Sequence, residues 1–132
     1  MTPIPPPVRP PLRPPLRHRL VGWLPALFVL TLLAVSYLAL TPTPPKAADL
    51  GWDKLNHFSA FGTLTVLGGL AWPGRLARLS LGLLAYGGLI EVLQTQVPGR
   101  SAEWADLLAD GVGILLGLAL LRLLRRLARS RA

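Results

Sequence analysis

The chain has 132 residues, 52% of them hydrophobic and 15% charged, with a formal net charge of +8 and no cysteine; its mean hydropathy is +0.48. So short and apolar a chain, with its apolar residues in long runs, excludes an ordinary soluble globule, and the missing thiols exclude a disulfide framework, a thiolate metal site and a cysteine nucleophile. The basic residues lie at the ends of apolar segments, which excludes nucleic acid as partner and makes the charge a sign of membrane topology.

Residues 1–19 are rich in proline and arginine, with P-P-L-R units at Pro10–Arg13 and Pro14–Arg17. Proline removes backbone donors and favours extended chain, so this stretch is predicted to be a disordered cytoplasmic tail that fixes orientation. Its alternative role is as a ligand for a proline-recognition domain or anionic lipid head groups. The first apolar segment, about 20–40, carries Trp23 and Tyr37 near its ends as interfacial anchors and is long enough to cross a ~30 Å hydrocarbon core. Its length exceeds a signal-peptide core, so it reads as an uncleaved anchor.

A proline-bearing loop, Thr41 to Trp52, precedes the second segment, 53–72, which Trp72-Pro73-Gly74 stops. The third segment runs about 76–94 and the fourth about 102–121, with Ser101 as the expected N-cap. Residues 122–132 form a basic extension of the last helix. The expected architecture is all-α: an integral membrane bundle of four transmembrane helices over 20–121. Arginines 9, 13, 17 and 19, then 75 and 78, then 122, 125, 126, 129 and 131 fall on one side of that topology. Only Lys46, Lys54 and Arg100 fall on the other, so the positive-inside rule predicts both termini to be cytoplasmic.

All six acidic residues lie in the two outer connections or the helix ends beside them, and four of the six fall between Ile90 and Gly117. Asp53, Lys54 and His57 open the second segment, and Glu91 and Gln94 close the third. Asp106 and Asp110 share a stripe of the fourth with Gly113 and Gly117, a G-x-x-x-G pattern that allows close helix contact. That face should therefore turn into the bundle. Gly87, one turn before Glu91, leaves room for a neighbouring backbone. Asp110 lies roughly 12 Å along its helix at ~1.5 Å per residue. A carboxylate at that depth costs about 2.5 kcal/mol or more on insertion, which makes it a functional candidate if a partner exists.

Lys54, His57 and Arg100 are the available partners. The cluster is either a salt-bridged plug holding helix ends or a pocket. As a pocket, His57, Glu91 and Asp106 would act as acid and base around a phosphate, with Arg100 holding the anion. A divalent metal on the same carboxylates and His57, and a proton path, are weaker readings.

At these residues the chain resembles the VanZ-like family of small bacterial membrane proteins. The matching pieces are Asp53-Lys54-Leu55-Asn56-His57-Phe58 with Phe61, then Glu91-x-x-Gln94, Pro98-Gly99-Arg100-Ser101, Asp106 and Gly113-x-x-x-Gly117. The resemblance covers about 53–117 and departs at Asp110, where many members carry asparagine. It implies a multi-pass protein of the bacterial cytoplasmic membrane, related to teicoplanin resistance and grouped with enzymes acting on phospholipid or lipid-carrier head groups. The positions it carries over are His57, Glu91, Arg100 and Asp106. The reading is thus a site with His57, Glu91 and Asp106 as catalytic candidates and Asp53, Lys54, Gln94, Arg100 and Asp110 as binding candidates. Its expected partners are membrane lipids and a lipid-linked envelope precursor. The alternative is a non-enzymatic protein that binds a lipid, antibiotic or envelope partner.

Overall fold

The computed structural model describes residues 22–130, so the Pro/Arg-rich tail of residues 1–19 lies outside the described residues. The described chain forms four helices and no strand: α1 (Leu24–Leu40), α2 (Asp53–Ala71), α3 (Leu76–Gln94) and α4 (Trp104–Arg129). A single 3₁₀ turn, Lys46–Ala48, interrupts the loop between α1 and α2. By length and composition, α3 and α4 are long and apolar enough to cross a membrane; α1 is apolar but shorter, at 17 residues.

Each boundary has a local cause. Pro25 sits in the first turn of α1, where its missing N–H costs nothing. Pro73 follows the end of α2 directly, and it cannot continue a helix. Between α3 and α4, the Arg100 N–H donates to the Val97 carbonyl at 3.1 Å, closing a turn with Pro98 and Gly99 at its centre. Gly99 takes φ 78°, the left-handed value that a type II turn needs at its third position.

The last helix departs from expectation at its start, while its far end continues as the basic helical extension expected there. It starts at Trp104 rather than 102, with Glu103 at the N-cap and no side-chain cap, so Ser101 does not cap it. It also continues as regular helix to Arg129. That extension runs past the end of α2, where Arg125 Nη2 donates to the Gly69 carbonyl at 3.1 Å. Gly69 lies in the last turn of α2, whose carbonyls lack helical donors, so the cation serves a helix C-terminus.

The most extensive helix pairing is between α2 and α4. A Cβ on Gly113 would collide with the Phe58 carbonyl oxygen and stand 3.1 Å from the Gly62 nitrogen. One on Gly117 would stand 2.9 Å from the Gly62 carbonyl oxygen. The small-residue stripe therefore brings two backbones into contact. Beside it, Phe61, Leu64, Leu83 and Ile114 form the buried core, with Phe28, Leu32 and Val35 of α1 packed against it. The Tyr86 hydroxyl of α3 donates to the Leu32 carbonyl at 3.1 Å and lies 2.8 Å from Ser36 Oγ. This ties α1 to α3.

Gly113→Val is expected to separate α2 from α4 and to cost at least about 1–3 kcal/mol, as overpacking does. Gly82→Ala, where no atom lies within 4 Å of the added Cβ, is expected to be neutral or slightly stabilising. Thermal unfolding followed by circular dichroism in detergent checks both.

Candidate functional site

The opening turn of α2, the closing turn of α3 and the opening turns of α4 meet at one end of the bundle. The α2–α4 backbone contact sets their register. It places His57 opposite Asp110, and His57 Nδ1 lies 2.9 Å from Asp110 Oδ1, with both side chains buried. Asp110 has room because α3 presents Gly87 to it: a Cβ there would collide with Asp110 Oδ2. The space left by Gly87 thus receives a carboxylate and the edge of Phe61, not the neighbouring backbone that the sequence suggested.

One turn nearer the helix end, Lys54 Nζ lies 3.0 Å from Glu103 Oε2 and 3.4 Å from Asp106 Oδ1. Asp106 is only 2% exposed. Its Oδ1 is an ion-pair partner of Lys54 without hydrogen-bond geometry, and it has no hydrogen-bond partner. Glu91 is also buried, and its Oε2 accepts the Glu103 backbone N–H at 2.8 Å. A carboxylate on α3 thus takes the N–H of the α4 N-cap residue, the part that the third-position glutamate plays in a capping box, and adds negative charge at the helix start. Glu91 Oε1 and Asp110 Oδ2 have no hydrogen-bond partner.

Two other candidates serve helix ends. Gln94 Nε2 donates to the Ala39 carbonyl at 3.1 Å. Arg100 donates from Nη2 to the Leu38 carbonyl at 3.2 Å and from Nε to the Thr41 carbonyl at 3.4 Å, while Nη1 stands 3.9 Å from Asp53 Oδ1. These carbonyls close the C-terminal end of α1, where the positive charge of Arg100 complements the helix dipole.

A cavity of about 560 Å³ opens between α1, α2 and the 42–52 loop. Asp53, His57, Gln94 and Arg100 line its polar part, whereas Thr31, Val35, Ala60 and Ile90 line the rest. Lys54, Glu91, Asp106 and Asp110 do not line it. His57 is the residue common to the cavity wall and the buried carboxylates.

Asn56 fastens the loop over this cavity. Its Oδ1 accepts the Leu50 N–H and its Nδ2 donates to Asp49 Oδ1, both at 2.9 Å. Asp49 Oδ1 also accepts the Gly51 N–H, and these two donors hold its carboxyl below the usual aspartate range. The Asp49-x-Gly51 spacing is an Asx-turn signal visible in the sequence. Asn56 reaches only six and seven residues back, whereas the role of Glu103 rests on a pairing with Lys54, 49 residues away, that local sequence does not announce.

Fold and site together describe a small all-α chain with a histidine–carboxylate cluster buried at one end of the bundle. It belongs to the VanZ/LLP1 family, whose model matches residues 18–125. Membership and the two long apolar helices point to a VanZ-like membrane protein. No curated protein and no solved structure matches the chain.

Glu91→Ala is expected to strip the Glu103 N–H of its acceptor and cost about 0.5–2 kcal/mol, the range for a lost N-cap. Glu91→Gln keeps an acceptor oxygen and should retain most of that stability. Melting temperatures of the two variants in the same detergent separate these outcomes.

Proposed function

We propose that this protein is a four-span protein of the bacterial cytoplasmic membrane, with both termini cytoplasmic, that acts on a lipid-linked phosphate or related envelope precursor at an outward-facing pocket. The observation that carries the reading is His57, which faces the cavity on one side and Asp110 on the other. The cavity's mixed lining suits an amphiphile. A phosphate head group would lie among Asp53, His57, Gln94 and Arg100, and its hydrocarbon would lie along Thr31, Val35 and Ala60.

In this reading Arg100 uses the N–H groups it does not give to α1 carbonyls to hold the anion. Lys54 adds positive charge from the other side of the α2 turn. His57, oriented by Asp110, exchanges a proton with the bound head group through Nε2, the nitrogen left free by the Asp110 contact. Glu91 and Asp106 supply negative charge behind it and complete the acid–base set. The arginine distribution supports the orientation, because the arginine-rich segments all fall on one side of a four-span path. The link to glycopeptide resistance belongs to the same reading: a changed lipid-linked precursor would alter what such an antibiotic meets.

A second reading is favoured by Glu91 and Arg100, each of which satisfies backbone groups at a helix end. Here the cluster is a structural plug, and the protein binds a lipid, antibiotic or envelope partner without chemistry.

Asp106→Asn and Glu91→Gln, assayed for head-group turnover of lipid-linked phosphates in mixed micelles, are expected to lose at least about 100-fold, the scale of general acid–base catalysis. Unchanged turnover removes the catalytic role. Lost stability with turnover retained selects the plug. For topology, cysteine labelling should reach Gly99→Cys from outside the cell and Gly74→Cys only from inside; the reverse pattern overturns the orientation.

A further inference from the structure

We infer that Asp53, His57 and Asp106 form a binding site for one divalent transition-metal ion of the manganese or zinc class. One ligand atom from each of the three lies within 4.8 Å of the other two. Two ligands about 2.1 Å from an ion stand roughly 3–4 Å apart in tetrahedral or octahedral coordination. The Asp53 side chain is half exposed, terminal on its helix and held only by a 3.9 Å contact with Arg100 Nη1, so it can turn to close the remaining gap.

The Asp106 carboxylate is the independent sign of a missing cation. It is 2% exposed, and its buried Oδ1 has no hydrogen-bond partner. Buried carboxylates ordinarily fill their acceptor sites, and an oxygen left open in a site with a neighbouring imidazole calls for an electrophile. Lys54 meets this need only partly. It stands 3.4 Å from Asp106 and is held at 3.0 Å by Glu103, so an ion on Asp106 leaves the ammonium a partner to keep.

The imidazole is already oriented. Asp110 engages Nδ1, which assigns coordination to Nε2 and reproduces the carboxylate–histidine–metal relay that steadies many metal sites. One imidazole with two carboxylates suits Mn²⁺ or Zn²⁺ better than the all-oxygen preference of Ca²⁺ or Mg²⁺. Asp53 and His57 both line the cavity, so the ion would keep an open side toward whatever the cavity holds. This inference goes beyond the lipid-phosphate reading and does not depend on turnover.

The full chain in nanodiscs, stripped with chelator and titrated with manganese or zinc chloride, tests it by calorimetry and elemental analysis. One ion per chain is expected. Asp53→Asn should weaken binding by more than about 10-fold, and Asp110→Asn by about 10–100-fold through loss of the oriented imidazole, with melting temperature tracked for both. Gln96→Ala, an exposed change outside both the cluster and the cavity lining, should leave affinity unchanged. Absence of stoichiometric binding, binding unaffected by Asp53→Asn, or an equal loss in Gln96→Ala overturns the site. Intact metal binding without lipid turnover would instead remove the catalytic reading alone.

Discussion

The backbone contact between α2 and α4 is the constraint on which the rest of this structure depends. Gly62, Gly113 and Gly117 let the helices approach until carbonyl and amide atoms stand where side chains would ordinarily lie. An approach this close adds van der Waals packing between the two backbones to the contacts of the side chains beside them. The approach fixes helix register. His57 and Asp110, 53 residues apart in the chain, fall within hydrogen-bonding distance because of it. Lys54 and Asp106 lie on the same two helices, so the same register brings them to 3.4 Å.

A second constraint is the supply of partners for helix ends. Each helix leaves four donors and four acceptors without intrahelical partners, and at an apolar surface water is a poor substitute. This chain fills several of them across helices. Glu91 accepts from the start of α4, Arg100 and Gln94 donate to carbonyls at the end of α1, and Arg125 donates to the last turn of α2. Each such bond also ties one helix to another. None of the four described helices has a side-chain cap from its own N-cap residue; at the start of α4 a carboxylate from α3 takes that place.

Much of this was legible in the sequence because apolar runs and their punctuation are local signals. Pro73 and the Pro98-Gly99 pair marked helix ends, and the alternating i+4 and i+3 steps of Asp106, Asp110, Gly113 and Gly117 marked the inward face. The buried state of both aspartates agrees with that stripe. What local pattern did not carry were the cross-helix choices. Ser101 has the chemistry of an N-cap, but a carboxylate from α3 serves the helix start. Gly87 reads as a gap for a backbone, yet a carboxylate and a ring edge share it. The pairing of Lys54 with Glu103, 49 residues away, depends on chain segments brought together only by the fold.

The cluster divides by remaining valence, and that division bears on which residues hold the chemistry. Arg100, Gln94 and one oxygen of Glu91 are engaged with backbone groups. His57 Nε2, Asp53 and the Asp106 carboxylate keep unused capacity. Asp110 is what gives that capacity direction. An ionised carboxylate only accepts hydrogen bonds, so in that state the Asp110 contact places a proton on Nδ1 and leaves Nε2 to act. Asparagine, the residue that the family resemblance leads one to expect there, could present either its oxygen or its amide to the ring. An ionised aspartate thus narrows the choice to which asparagine is indifferent. Gly87 makes that contact sterically feasible, since any side chain there would push the carboxylate off the ring.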